Sequence, residues 1–183
     1  MICCPGLPQC RGPLAGHLMT YAETTVPLHV RVKGRKVPIY QCDAAPGVLT
    51  NEIKSALAGE ITRIHVEATR APRSFVHVIF RELPAGTHFK AGQEDTEFSF
   101  IHCHIRSGRT LDVRQRMLRE ISDSWSRLTG QPAVQLLLDV AETDAADVME
   151  AGLILPEPGQ EMAWFEEHKD ELSELAPEGV HGL

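Results

Sequence analysis

The strongest constraint on the fold is a repeated pattern of strand, amphipathic helix and strand. The first copy opens with an alternating stretch over 38–42, where a proline is tolerated because it stands at the start of a strand. Thr50 is the predicted N-cap of a helix that ends near Thr69, with apolar residues at helical spacing along one face. Apolar residues over 75–79 predict a second strand, which ends near 83–86.

The same pattern returns after a polar loop over 92–97. The alternating stretch 98–105 predicts a third strand, and the apolar run 134–140 predicts a fourth. Between them Thr110 caps a second helix that ends at Gly130. The predicted buried stripe of this helix consists of Leu111, Met117, Leu118, Ile121, Trp125 and Leu128.

Two such β-α-β units side by side predict an α+β fold for residues 38–176, with a four-stranded sheet and both helices on one face. The strands within each unit should be parallel and joined by a right-handed crossover. The other face of the sheet is then left uncovered. Further copies of the same chain are the expected cover for that face.

The predicted domain has three parts. The first β-α-β unit occupies 38–86 and the second occupies 98–142. The C-terminal part, 143–176, holds a short apolar segment and a helix over 161–175, and residues 177–183 form a tail.

Composition limits the classes of partner. Residues 1–37 are rich in proline, glycine and cysteine and then basic, and they are interpreted as a disordered leader or as translated sequence absent from the mature protein. The five cysteines include no C-x-x-C pair, so neither a disulfide framework nor a zinc site is indicated. The net charge of −7 disfavours nucleic acid as a partner, and no apolar run is long enough to cross a membrane. The expected location is the cytoplasm.

Five charged or titratable residues are candidates for chemistry, although each also has a plain structural interpretation. Arg106 and Arg109 enter a helix N-terminus, a place that favours anions, and two guanidinium groups can bind one carboxylate. His65 lies on the first helix and Glu150 in a loop, and alone they are more simply core and surface residues. Asp139 interrupts an apolar run, where a charge is costly unless it is paired or lies at a strand end.

Two further histidines raise the alternative of a metal site. His102 and His104 lie two apart on one strand and should point to the same face. No third ligand stands nearby at a convincing spacing. A metal-dependent hydrolase is therefore the weaker alternative, and no metal or other cofactor is expected.

Together these residues form a more specific pattern. A strand opens with proline, a histidine follows in the first unit, R-x-x-R precedes the second helix, and a glutamate stands before glycine and Leu-Pro. The pieces are Pro38-Ile39-Tyr40, His65, Leu83-Pro84-Ala85-Gly86, Arg106-Ser107-Gly108-Arg109, Glu150-Ala151-Gly152, Leu155-Pro156 and Trp164-Phe165. In this combination the chain resembles the tautomerase superfamily, and within it the cis-3-chloroacrylic acid dehalogenase-like family.

The resemblance implies a fused 4-oxalocrotonate tautomerase-type fold, a homotrimer and no cofactor. It implies that Pro38, as an amino-terminal proline, exchanges a proton with a carbon of a small unsaturated or 2-keto carboxylic acid. Arg106 and Arg109 would bind the substrate carboxylate. Glu150 would activate a water, and His65 would help to place substrate or water. The implied reactions are tautomerisation, hydration and dehalogenation.

Two positions differ from the family pattern. Asp139 stands where the family often has a tyrosine that holds water with the glutamate, so it is a candidate for water positioning. Val37 precedes Pro38, and the proline nitrogen is an amide in the sequence as written. The enzyme hypothesis therefore requires a chain without residues 1–37. The alternative is a catalytically inactive member of the same fold that acts as an oligomeric binding protein.

Overall fold

The computed structural model describes residues 38–173 of the chain. The predictions for residues 1–37, for the tail over 177–183 and for a helix end at Leu175 lie outside the described residues. The strands and α-helices are, in chain order, β1 Ile39–Ala44, α1 Asn51–Thr69, β2 His77–Glu82, β3 Phe89–Lys90, β4 Gln93–Glu94, β5 Ser99–Arg106, α2 Leu111–Thr129, β6 Leu136–Thr143, β7 Met149–Glu150, β8 Leu153–Ile154, α3 Glu161–Glu167 and α4 Lys169–Ser173. Within this part of the chain, no helix combines the length and the apolar character needed to span a membrane.

Four of the strands form one mixed sheet in the order β2-β1-β5-β6. β1 and β2 are parallel, β5 and β6 are parallel, and antiparallel pairing of β1 with β5 joins the two halves. One long helix connects the strands of each parallel pair, because the chain must return to the end of the sheet where the first strand began before it can form a parallel strand. The predicted α+β fold built from two β-α-β units is confirmed.

Both long helices pack against the same face of the sheet. The pairings Tyr40↔Val78, Tyr40↔Cys103 and Cys103↔Val140 place these four side chains on that face. The helices contribute to the same core Leu57, Ile61 and Ile64 from α1 and Met117, Ile121 and Trp125 from α2. Burial of an apolar side chain of this size stabilises the fold by about 1.5–3 kcal/mol relative to exposure.

Capping side chains begin both helices at the predicted residues. Thr50 Oγ1 accepts a hydrogen bond at 3.2 Å from the backbone N–H three residues later, and Thr110 Oγ1 accepts the equivalent bond at 3.3 Å. Gly130 ends α2 with φ 76°, a left-handed conformation that glycine adopts without steric cost. The predicted stripe is wrong at Leu111, which is 62% exposed because it occupies the first position of α2, ahead of the turns that pack on the sheet.

The predicted starts of two strands, β2 and β6, are too early. Phe75 and Val134 lie in short 3-10 turns, each preceded by a proline, and β2 and β6 begin two residues further on. In the first turn the Val76 N–H donates to the Arg73 carbonyl oxygen at 3.1 Å. Apolar content alone does not separate such a turn from a strand. At its other end β6 continues to Thr143, beyond the predicted end.

Two more segments differ from the prediction. Part of the predicted loop over 92–97 is β4, which pairs with β3 as a two-residue hairpin. The predicted C-terminal helix is interrupted at His168 and forms α3 and α4 instead. The His168 ring lies 4.8 Å from that of Trp164, and its Nδ1 donates to the Trp164 carbonyl oxygen at 2.8 Å. This contact forms where the helix stops, and spacing of apolar residues does not predict it.

The second face of the sheet carries a mixture of polar and apolar side chains. Ile79 and Leu137 lie there with 40% and 44% of their surface exposed. Gln41, His102 and Asp139 share that face with them, as the strand register requires. Cover of this face by further copies of the chain stays a prediction.

Replacing Leu57 by alanine is expected to lower the free energy of unfolding by about 2–5 kcal/mol, because that side chain is fully buried in the core. The matched variant Leu111→Ala removes the same atoms from an exposed position and should change it by less than about 0.5 kcal/mol. Urea unfolding followed by tryptophan fluorescence at one protein concentration measures both. Equal losses in the two variants would contradict the assigned core.

Candidate active site

The antiparallel pairing of β1 with β5 brings two predicted site residues to one end of the sheet. Pro38 directly precedes β1, and Arg106 is the last residue of β5. Ile39 pairs with His104, so the start of β1 lies beside the end of β5. The Pro38 carbonyl oxygen accepts a hydrogen bond at 3.0 Å from the backbone N–H of His77, which begins β2. Pro38, His77 and Arg106 therefore share this end of the sheet.

His65 is a buried residue of α1 and contacts Tyr40 of β1. The Tyr40 hydroxyl and His65 Nδ1 are hydrogen-bonded at 2.7 Å. Burial lowers the pKa of His65 to about 3, and the positive charges of Arg109 and Arg106 act in the same direction. The imidazole is therefore neutral near pH 7. In that state it can orient a neighbour by a hydrogen bond, but it cannot supply a positive charge.

The two predicted arginines are both enclosed and share a carboxylate of the chain itself. Arg106, 5% exposed, donates from Nη1 to the Pro156 carbonyl oxygen and from Nη2 to Glu161 Oε1 at 2.7 Å. Arg109 Nη2 reaches the same Glu161 oxygen at 3.7 Å. Burial lowers the pKa of Arg109, and the neighbouring Arg106 charge adds to that shift. Glu161 is thus a site residue that the sequence pattern did not indicate.

The loop that carries the two arginines is held close to the C-terminal segment. Gly108 has φ 97°, and a Cβ atom there would lie 3.1 Å from Pro158 Cγ. A larger residue would be strained in its backbone and would also press on that ring. The glycine of R-S-G-R therefore allows the close approach that sets Glu161 between the guanidinium groups.

Glu150 reaches the same end of the sheet from the β7–β8 hairpin. Its Oε1 accepts a hydrogen bond from His77 Nε2 at 2.8 Å. Its Oε2 is buried and has no hydrogen-bond partner within the described residues. Since the backbone of His77 also bonds to Pro38, this histidine connects the predicted acid and the predicted base. His77 was missed because a single histidine at a strand start carries no distinctive spacing.

Asp139 does not lie at this end within one chain. Its Oδ1 accepts a hydrogen bond at 2.5 Å from Nδ1 of His102, its register partner on β5. The pair lies four positions before Arg106↔Thr143, a distance of roughly 13 Å along the strands. Water positioning by Asp139 stays a prediction that its placement in the single chain does not support.

The histidines of β5 form no metal-binding group with their described neighbours. Among residues 38–173, no three or more histidine, cysteine or acidic side chains are arranged to hold an ion. His102 pairs with Asp139 alone, which is too few groups to hold an ion.

The pKa of His65 predicts a pH dependence of stability. The folded state keeps His65 neutral down to about pH 3, whereas the unfolded chain protonates it below about pH 6.5. The unfolded state then binds more protons, so the contribution of His65 is complete above pH 6.5 and is lost as the pH falls toward 3.

Between pH 6.5 and 4 the wild-type free energy of unfolding should fall more steeply than that of His65→Asn, by up to about 1.4 kcal/mol per pH unit. Asparagine keeps a polar group near the position of Nδ1 but does not titrate. Urea unfolding at several pH values measures the two slopes. Parallel curves would contradict a neutral buried His65.

Comparison with known proteins places this geometry in a family. The family model described as "Putative oxalocrotonate tautomerase enzyme" matches residues 37–169. The chain is 34% identical to N1, a member of the cis-3-chloroacrylic acid dehalogenase (cis-CaaD) family; the similarity has a TM-score of 0.68 and covers 75% of this chain and 99% of that one. It is 39% identical to Ps01740, with a TM-score of 0.60, over 62% of this chain and all of that one.

A shorter relative matches over its whole length. The "Probable tautomerase" of Streptococcus pneumoniae serotype 4 (strain ATCC BAA-334 / TIGR4) is 43% identical over 61 residues, which are 33% of this chain and all of the relative. The F6 fused 4-OT asymmetric trimer, at 20% identity and a TM-score of 0.59 over 64% of this chain and 95% of that one, shares the fold. The chain belongs to the family of putative oxalocrotonate tautomerase enzymes, as a cis-CaaD-like member of the tautomerase superfamily.

Proposed function

We propose that the chain, when it begins at Pro38, is a proline-dependent tautomerase or hydratase/dehalogenase for a small unsaturated or 2-keto carboxylic acid. The observation that carries the proposal is the arrangement at one end of the sheet. Pro38 and Arg106 lie at paired strand ends, Arg109 shares Glu161 with Arg106, and Glu150 is bonded to His77, the backbone neighbour of Pro38. Family membership supports the tautomerase part of the proposal.

The groups at this end have complementary roles. An unperturbed α-amino nitrogen has a pKa of about 7.7–8.0, so a free Pro38 nitrogen can both accept and donate a proton near neutral pH. In tautomerisation it removes a proton from the enol hydroxyl, or from the carbon next to the ketone, and delivers one to the other end of the conjugated system. The arginine charge binds the carboxylate and stabilises the negative charge that develops there.

Hydration of a carbon–carbon double bond uses Glu150 as well. The carboxylate accepts a proton from water as the water oxygen attacks the β-carbon, and the prolinium donates its proton to the α-carbon. The unpartnered buried Oε2 of Glu150 is the oxygen available to that water. His77 holds Oε1 and so fixes which oxygen remains free. A halogen on the β-carbon would then leave as halide while the new hydroxyl group loses its proton and becomes a carbonyl.

We also propose a homotrimer as the working assembly. The exposed Ile79 and Leu137 on the open face of the sheet would be covered by neighbouring copies. A fused 4-OT of similar fold is an asymmetric trimer. The partners proposed are thus other copies of the chain and a small carboxylate, with no nucleic acid or membrane and with a cytoplasmic location.

Residues before Pro38 decide between an enzyme and an inactive binding protein. A chain that begins at Pro38 should tautomerise phenylpyruvate, whereas the full-length chain should not, because its proline nitrogen is an amide. Pro38→Ala in the shortened chain should lose activity by at least about 10²-fold, with the oligomeric state unchanged by gel filtration. Equal activity of the full-length chain, or full activity of Pro38→Ala, would contradict the proline mechanism.

Glu150→Gln in the shortened chain separates the two reactions. Hydration of an unsaturated acid should fall by about 10²–10⁴-fold, because the amide cannot accept the proton from water. Tautomerisation, which needs no water, should change far less. Glu167→Gln, at an exposed position of α3, is the matched control and should leave both rates unchanged. Hydration that survives in Glu150→Gln would remove the carboxylate from the mechanism.

A further inference from the structure

We infer that Glu161 restricts the site to substrates with a single carboxylate, because it neutralises one of the two arginine charges. The inference rests on the proposed role of Arg106 and Arg109 in carboxylate binding. It adds a specificity-determining residue from α3, outside the R-x-x-R loop.

The contacts of Glu161 divide the two arginines into different roles. Glu161 Oε1 accepts from Arg106 Nη2 at 2.7 Å, and Oε2 accepts from the backbone N–H of Gly159 at 2.7 Å. Arg106 also donates to the Pro156 carbonyl oxygen, so its guanidinium is held by the chain from two sides. Arg109 contacts Glu161 only at 3.7 Å. Arg109 is therefore the arginine with donors to offer a ligand.

Because Arg106, Arg109 and Glu161 are buried, their net charge strongly affects how many carboxylates a ligand can carry. The side chains of Arg109 and Glu161 are each 12% exposed, and that of Arg106 is 5% exposed. Charges with so little water around them interact more strongly than surface pairs do. Within the contacting group of Arg106, Arg109 and Glu161, two guanidinium groups and one carboxylate leave a single positive charge, which one substrate carboxylate balances.

A second carboxylate on the same ligand meets unfavourable charges. It enters a site whose positive charge is already balanced, and it lies near Glu161, with Glu150 at the same end of the sheet. The substrate class that fits is a small unsaturated or 2-oxo monocarboxylic acid. A dicarboxylic acid of the same length fits less well.

Binding of two unreactive acids to the full-length chain tests this without requiring catalysis. Propionate and succinate differ by one carboxylate and can be titrated at pH 7.5 by NMR of the arginine Nε–H signals. Wild type should bind succinate no more tightly than propionate. Glu161→Gln adds a net positive charge to the site and should tighten succinate binding by about tenfold or more, and propionate binding by about threefold or less.

A charge-restoring variant and a matched control sharpen the result. The double variant Arg106→Gln with Glu161→Gln again carries one positive charge, so it should return to the wild-type preference. Glu157→Gln removes the same charge from an exposed position four residues away and should leave both affinities unchanged. Arg109→Gln should abolish binding of both acids, which assigns the titration to this site.

Each outcome decides the inference. If the ratio of succinate to propionate affinity stays the same in Glu161→Gln while Arg109→Gln loses binding, the role of Glu161 is wrong and the arginine site stands. If the full-length wild type binds neither acid, the titrations are repeated with the chain that begins at Pro38. Absence of binding there as well overturns this inference together with the carboxylate-binding role in the proposed function. If circular dichroism shows that Glu161→Gln does not fold, the double variant and Glu161→Asp take its place. Both must bind succinate no more tightly than propionate, and tighter binding of succinate by either overturns the inference. Absence of catalysis in a chain beginning at Pro38 leaves these binding results unaffected.

Discussion

The antiparallel pairing of β1 with β5 is the interaction on which the rest of the structure depends. It joins two parallel β-α-β units into one sheet and gives both helices a common face to cover. The same register places Pro38, at the start of one unit, beside Arg106, at the end of the first strand of the other. Neither unit alone contains both Pro38 and Arg106, so their proximity depends on the fusion of the two halves.

The need to balance the buried charges of Arg106 and Arg109 explains why the C-terminal segment packs against this end of the sheet. Two arginines enclosed together repel each other, and a burial cost adds to that repulsion. Glu161 offsets both, and the Pro156 carbonyl oxygen takes a further donor of Arg106. The C-terminal segment is therefore part of the site's electrostatics.

The sequence was sufficient for the parts that depend on local pattern. Thr50, Thr110 and Gly130 carry capping chemistry that is independent of the tertiary structure; both helices begin, and α2 ends, where these residues predict. The strands 75–79 and 134–140 were placed too early because a 3-10 turn after proline has the same apolar content as a strand start. Site residues that act through long-range pairing were not predictable. His77 and Glu161 gain their roles only from contacts with Glu150 and Arg106, far away in sequence.

The Pro38 nitrogen is central to the proposed chemistry, and its ionisation can be measured directly. In a chain that begins at Pro38 and carries ¹⁵N-labelled proline, an NMR titration of the Pro38 nitrogen should show one ionisation in the pH range around the usual α-amino pKa of about 7.7–8.0. The same pKa should govern the pH profile of kcat/KM for tautomerisation. A profile that follows a different pKa, with Pro38 titrating outside it, would contradict the assignment of Pro38 as the group that transfers the proton.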